Sequence, residues 1–245
     1  MKIALFSDIH ANLQAFEEML ADLDSRPIDA VYCLGDLVGY NVWPNEIISE
    51  MQRRKVPCIA GNHDVKVNGL ITTATSLKEP GKKYAYHLID EPGRKYLSTL
   101  PAHIKLEYKI DGQRLNIMLA HGSTRSIDEY VLIDTNEAYV LELMEEANAD
   151  VLCVGHSHKP YHRVIIDGKG NKKHIINTGS VGKPKDGNPK GCYVLLTIEP
   201  SVSQGSEDIV AVEFIRFDYN IEKAAKAIED SPLPIEFADM LRQAK

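Results

Sequence analysis

Five short polar strings in this chain follow apolar runs, and together they carry the side chains that metal chemistry uses. They are Asp8-Ile9-His10, Gly35-Asp36, Gly61-Asn62-His63-Asp64, His121-Gly122 and Gly155-His156-Ser157-His158. The chain holds nine histidines, and His10, His63, His121, His156 and His158 all fall in these strings. Each string alone is commonplace, since Gly-Asp is an ordinary turn and Asp-x-His occurs everywhere. Their repetition at the ends of apolar runs is not. Asn62, His63 and Asp64 are three consecutive polar side chains after a buried stretch, a costly arrangement unless something charged sits there. Metal plus phosphate fits that requirement. Hydrolysis of a phosphate ester needs a nucleophile, neutralisation of charge on the phosphoryl oxygens and a proton for the leaving group. Two metal ions about 3.5–4 Å apart supply the first two needs by acidifying a shared water. Mixed carboxylate, amide and imidazole ligation suits manganese, iron, zinc, cobalt or nickel better than magnesium or calcium.

Ligands converge when they leave the C-terminal ends of neighbouring parallel strands. Apolar runs at 2–7, 30–34 and 56–60 predict three strands. Leu13, Phe16, Met19, Leu20 and Leu23 recur at helical spacing over 12–25, and a second helix starts at Pro44-Asn45 with Ile47, Ile48 and Met51 on one face. Strand, helix, strand, helix, strand with short links predicts parallel pairing. Residues 65–102 break the pattern and read as a helical excursion near the site, with two helical pieces in 81–100 on either side of Pro92-Gly93. Strands resume at 103–109 and 114–120 around an Asp111-Gly112 hairpin signal. A helix at 136–147, a strand at 151–154, a hairpin of 162–167 with 173–177, strands at 191–198 and 209–217 around a polar loop at 200–208, and two tail helices in 221–243 complete the reading. Residues 1–245 read as one domain.

Composition narrows the partners. With 28 basic and 35 acidic residues the formal net charge is −7, which argues against a protein that tracks long nucleic acid. A small anionic substrate remains compatible, because bound cations reverse the local field. The N-terminal run reads as a first strand rather than a signal peptide, and no apolar run approaches a membrane span of about 20 residues. Cys33, Cys58, Cys153 and Cys192 lie in apolar runs without a C-x-x-C pair, so they read as reduced core residues of a cytoplasmic protein.

The ordered set D-x-H, G-D-x-x-G, G-N-H-D, H and G-H-x-H resembles the five-part signature of the calcineurin-like metallophosphoesterase superfamily, and all five parts are intact between residues 8 and 158. The longer strings Ser-Asp-Ile-His-Ala-Asn-Leu, Gly-Asp-Leu-Val-Gly-Tyr, His-Gly-Ser-x-Arg and Asn-x-Gly-Ser-Val-Gly resemble its small bacterial and archaeal branch. That branch includes phosphodiesterases and asymmetric diadenosine tetraphosphate hydrolases. The resemblance implies an α/β fold, a β-sandwich of two mixed sheets flanked by helices in four layers, α/β/β/α. It implies two divalent or trivalent transition-metal ions, manganese foremost. Asp8, His10 and His158 would hold the first ion, Asp36 would bridge, and Asn62, His121 and His156 would complete the second. His63 would protonate the leaving oxygen, and Asp64 would orient His63. Thr178 stands where the family often has proline, with only a local backbone effect expected.

The reading is then a phosphoesterase that cleaves a phosphodiester by attack of a metal-bridging hydroxide. A dinucleoside polyphosphate hydrolase or a phosphomonoesterase is the alternative. A non-catalytic scaffold, the use a retromer subunit makes of this fold, is the rival from another class. Such a scaffold would be expected to have lost His63 or ligands, and this chain has lost none. Arg125, Tyr40 and Lys183 are candidate substrate contacts: a phosphate clamp, a stacking ring and a positive charge. Lys185 could add to that charge. His87, His103, His162 and His174 read as structural or exposed, and Trp43 as packing against the second helix. The partner is a small phosphorylated molecule, a nucleotide among the options, and self-association stays open.

Overall fold

Two mixed sheets stack face to face, and helices cover both outer faces. The computed structural model describes residues 1–110, 112–199 and 208–245. The first sheet has the order β2 (Ala30–Cys33), β1 (Lys2–Phe6), β8 (Gly191–Ile198), β9 (Val210–Phe217). The second has the order β3 (His103–Ile110), β4 (Gln113–Ala120), β5 (Val151–Val154), β7 (Lys172–Asn177), β6 (Tyr161–Ile166). β1 and β2 are parallel with Ile3 opposite Ala30, and β4, β5 and β7 are parallel neighbours. The remaining pairs are antiparallel.

The period-2 alternation of each strand builds the layers. Ile3 and Leu5 of β1, Leu115, Ile117 and Leu119 of β4, Val151 and Cys153 of β5, and Val194 and Leu196 of β8 meet between the sheets. Ala4 and Phe6 face outward into a core shared with α1 (Leu13–Asp24), α2 (Pro44–Arg54), α7 (Ile221–Glu229) and α8 (Glu236–Gln243). Leu152 and Val154 face the opposite way, onto Val140, Leu143 and Met144 of α6 (Glu137–Glu146). The result is the expected four-layer sandwich. Trp43 packs on the helical core, and all four cysteines are buried and free. Among the described residues, no helix is long and apolar enough to cross a membrane.

Three local expectations change. Residues 56–60 are not a strand but a single bridge at Cys58. Pro57 has no N–H to donate to a ladder, so the segment offers its carbonyl to Cys33 N (3.0 Å) and leaves the sheet after Ile59 N donates back to Cys33 O (3.1 Å). In the excursion, α4 (Tyr84–His87) and α5 (Glu91–Leu97) are separated before Pro92, not around it. Asp90 caps α5 by accepting from Gly93 N (2.8 Å), and proline is at home in a first turn. Within the expected turn, Asp111 lies outside the described residues, as do residues 200–207 of the polar loop.

Candidate metal centre

The C-terminal ends of β1, β2, β4 and β5 open onto one rim, which therefore crosses both sheets. Asp8 and His10 follow β1, Asp36 follows β2, His121 follows β4, and His156 and His158 follow β5. Asn62, His63 and Asp64 form the short α3 (Asn62–Val65) beyond the Cys58 bridge. The loops at this rim are knotted by main-chain bonds. Asp8 N donates to Gly35 O (2.9 Å), His10 N to Asp36 O (3.0 Å), Gly155 N to His121 O (2.9 Å) and Gly182 N to Asp8 O (3.0 Å).

These bonds hold the ligand backbones in an unusual state. Asp8 (56°), His10 (51°), Asp36 (57°), His156 (62°) and His158 (59°) all have positive φ. The left-handed region costs a residue with a side chain on the order of 1–3 kcal/mol, and it persists only where surroundings impose it. Each turn aims its side chain back over the strand ends.

The two aspartates are built alike. Asp8 Oδ2 accepts from Ser7 Oγ (2.5 Å) and His156 N (3.1 Å), and Asp36 Oδ1 accepts from His63 N (2.7 Å). The second oxygens, Asp8 Oδ1 and Asp36 Oδ2, are buried with no hydrogen-bond partner among the described residues. A glycine stands against each carboxylate. A Cβ on Gly61 would lie 2.2 Å from Asp36 Oδ1, and one on Gly155 would lie 2.8 Å from Asp8 Oδ2.

Imidazoles surround the orphan oxygens. His158 Nε2 lies 3.1 Å and His10 Nε2 3.6 Å from Asp8 Oδ1. His10 Nε2 (3.6 Å) and His121 Nε2 (3.4 Å) flank Asp36 Oδ2. Asn62 Oδ1 is 3.2 Å from His121 Nε2. Main-chain carbonyls fix the rings from behind, with Nδ1 of His10, His121 and His158 on the oxygens of Val38 (3.0 Å), Leu34 (2.8 Å) and Lys183 (2.5 Å). A proton held at Nδ1 leaves the Nε2 lone pair for a metal. His156 is turned the other way, with Nε2 on Asp128 O (3.2 Å) and Nδ1 left for the site.

Two donor groups result: Asp8, His10, Asp36 and His158, then Asp36, His121 and His156. Asp36 belongs to both. Donors about 2.1 Å from one ion sit ~3.0 Å apart in octahedral and ~3.4 Å apart in tetrahedral arrangement, which brackets most of the contacts above. The residues present fit metal ions. The electrostatics agree. Burial by itself would raise the carboxyls, yet His158 and His10 hold Asp8 well below its ordinary value, as His121 and His63 do Asp36. Burial opposes charge on His121, but Asp36 outweighs it and lifts that ring to about 10. The space between the orphan oxygens calls for positive charge.

Several residues act differently from expectation. Asp64 does not touch the His63 imidazole. Its Oδ2 accepts from Asp36 N (2.8 Å) and Gly61 N (2.9 Å), and its Oδ1 from Leu37 N (2.9 Å) and Val38 N (3.4 Å). It ties the Asp36 loop to α3. Burial and then the charge of Asp36 raise it to about 7, against the pull of those amides. His63 Nδ1 instead meets Tyr86 Oη at 2.7 Å. The reason is local: in a single helical turn adjacent side chains diverge, so Asp64 turns inward as His63 turns to the rim.

The guanidinium of Arg125, the candidate phosphate clamp, is held by Glu142 and Glu146 at 2.6 Å on the exposed face of α6. Tyr40 is half-buried, and its ring already meets other groups. It lies edge-on to His10 (4.8 Å), against His63 (4.8 Å) and Phe237 (4.9 Å), with Lys183 Nζ over its ring (4.9 Å). Lys183 is buried and donates to Lys245 O (3.0 Å). The lysine whose charge feels Asp8 and Asp36 is Lys185, half-buried and lowered by that burial. Thr178 has more than a local effect. Its N–H donates to Val154 O (2.9 Å), which a proline could not do, and its hydroxyl meets Ser7 Oγ (2.7 Å), the group that holds Asp8. Tyr130, unnoticed in the sequence, stacks on His156 (4.2 Å, 18°) and is 54% exposed. No spacing rule places it there.

Fold and site thus define an α/β sandwich with paired aspartate–histidine metal-ligand clusters. A calcineurin-like phosphoesterase superfamily domain matches residues 1–201, and the chain belongs to that superfamily. It is 32% identical to an uncharacterized protein of Methanocaldococcus jannaschii over 95% of this chain and 93% of that one. A metallophosphoesterase from Sphaerobacter thermophilus superposes with a TM-score of 0.77 at 26% identity, covering all of this chain and 99% of the other. A hypothetical protein from Pyrococcus horikoshii OT3 shares the fold, with a TM-score of 0.77 at 22% identity over 100% and 98% of the two chains.

Proposed function

We propose that this chain is a dinuclear-metal phosphoesterase that hydrolyses a phosphodiester. The observation that carries the reading is the pair of buried, unpartnered oxygens, Asp8 Oδ1 and Asp36 Oδ2, each ringed by imidazole nitrogens at 3.1–3.6 Å. Asp8, His10 and His158 would hold one ion, Asn62, His121 and His156 the other, with Asp36 between them. Such ions supply an activated water and neutralise charge on the phosphoryl oxygens when bound.

The chain's own residues do the rest. Asn62 offers a neutral amide oxygen, which adds no negative charge against an anionic substrate. The carbonyls of Val38, Leu34 and Lys183 keep three ligand rings in one tautomer. His63 is the one rim histidine outside the clusters, so its ring is available to give a proton to the leaving oxygen as the P–O bond breaks. General acid catalysis of this kind is worth about 10²–10⁴-fold.

Dinucleoside polyphosphate hydrolysis is the second reading. Exposed Tyr130 beside His156 favours a substrate with a stacking group, and Lys185 favours extra negative charge. The test is a hydrolysis panel on manganese-loaded protein: aryl diesters, cyclic nucleotides, nucleoside monophosphates and dinucleoside polyphosphates, with Asp36→Asn as control. Turnover that Asp36→Asn cuts at least ~100-fold is expected, because one substitution weakens both clusters. Silence of the metal-loaded protein on every substrate would overturn the proposal.

A further inference from the structure

The rim histidine without a metal role has a partner that no sequence motif announces. Tyr86 comes from the 65–102 excursion, and its hydroxyl lies 2.7 Å from His63 Nδ1. The other nitrogen, Nε2, has no partner among the described residues. The His63 ring stands 4.9 Å from that of His10, at the metal rim.

Tyr86 is itself firmly held. Ala85 and Ile89 on either side are buried in the helical core. Arg94 reaches back from α5 and donates to Tyr86 O (2.8 Å), Ile89 O (3.0 Å), Leu70 O (3.1 Å) and Thr72 Oγ1 (2.8 Å). Asn45 of α2 grips the α4–α5 junction from the other side, donating to Leu88 O (2.9 Å) and accepting from Asp90 N (3.0 Å). The excursion is therefore a strap, clamped at both its helices, that carries one hydroxyl to His63.

We propose that Tyr86 is the positioning residue of His63, and that its hydroxyl keeps a proton on His63 Nε2, facing the leaving group. This rests on the phosphoesterase reading above. The argument is one of hydrogen-bond chemistry. A phenol both donates and accepts. Against a neutral ring its O–H, a better donor than acceptor, donates to a bare Nδ1 and so favours the ring proton on Nε2. Against a protonated ring it accepts from Nδ1–H, and Nε2 again carries a proton. A carboxylate can only accept, so it would force the neutral ring to hold its proton on Nδ1 and leave Nε2 bare. Burial pushes the Tyr86 phenol above its ordinary value, which keeps its proton in place. Burial disfavours charge on the free His63 ring, so the proton is drawn in with the anionic substrate; during cleavage the P–O bond breaks with its electron pair on the leaving oxygen, which takes the proton from Nε2. The neutral ring that remains keeps Nδ1–H on the Tyr86 oxygen, and solvent restores the lost proton.

Two measurements test this. Tyr86→Phe, His63→Ala and the double variant are assayed on manganese-loaded protein against diesters whose leaving groups run from nitrophenol to alkanol. Tyr86→Phe should lose about 10–100-fold in kcat on alkanol leaving groups, part of the 10²–10⁴-fold that general acids supply. On nitrophenol it should lose less than about 3-fold, because a good leaving group needs no proton. KM and manganese content should not move, and adding His63→Ala should remove nothing beyond the single His63 variant. In parallel, long-range proton–nitrogen NMR of the metal-free protein should show His63 as the Nε2–H tautomer, and a tautomer mixture in Tyr86→Phe. Wild-type behaviour of Tyr86→Phe across the leaving-group series, or an Nδ1–H tautomer in the wild type, overturns the assignment. If His63→Ala shows no leaving-group dependence, the proton-donor reading fails and takes this inference with it. If only Tyr86→Phe is silent, the function stands and the inference alone falls.

Discussion

Replacing Asp64 with asparagine separates two jobs that a carboxylate beside His63 could have. The structure gives it a scaffold job, with four main-chain N–H groups converging on two oxygens. Asparagine keeps one oxygen and so one pair of donors. Its NH₂ then faces the other pair, either Asp36 and Gly61 or Leu37 and Val38. A buried N–H left without an acceptor costs about 1–3 kcal/mol. With the long Val38 contact (3.4 Å) as the weaker member, the expected loss is about 3 kcal/mol. For a chain of this size that lowers Tm by about 6–12 °C. The assay is urea and thermal unfolding at pH 8, above the value of about 7 to which burial raises Asp64, so that the ionised form is the reference. Manganese affinity should also weaken, because the Asp36 loop loses its tether. The leaving-group dependence of turnover should stay that of the wild type. A variant with wild-type stability and a steep new dependence on leaving group would refute this reasoning and return Asp64 to the role of orienting His63.

Gly61→Ala should strip metal from the protein, since its Cβ would press to 2.2 Å on Asp36 N and Oδ1; elemental analysis after dialysis should find less than half the wild-type manganese. Arg125→Ala should leave kcat/KM within about twofold on every substrate, because its charge is already met by Glu142 and Glu146 on an exposed helix face. A larger loss would put Arg125 back at the phosphate. Manganese at about 100 times its dissociation constant should stabilise the fold by about 2.7 kcal/mol, and a chelator should reverse the rise in Tm. An unmoved Tm would argue that the clusters do not bind it.

Much of the fold was legible because it depends on local periodicity. Unbroken apolar runs in β1, β5 and β8 report two apolar faces per strand, as a sandwich with covered outer faces requires. The spacing of Phe16, Met19, Leu20 and Leu23 reports one helical face, and Asn12 caps it by accepting from Ala15 N. Pattern and structure part where one residue outweighs the periodicity: Pro57 cuts a strand short, and Pro92 opens a helix rather than breaking one. The ligand residues were legible as types at strand ends. Their shared rim is now visible as hydrogen-bonded loops and paired buried oxygens.

What the sequence by itself determined is therefore the set of donor atoms and the strands that deliver them, because residue identity and period are local properties. Tertiary structure decided which neighbour each side chain meets. Asp64 sits next to His63 in the chain, yet helical geometry turns it toward the Asp36 loop, while Tyr86, twenty-three residues away, reaches the imidazole. Arg125 went to an acidic helix face, the Tyr40 ring met other groups, and Thr178 joined the support of Asp8. Adjacency along the chain fixes distance between backbones; only the packed fold fixes the direction of a hydrogen bond.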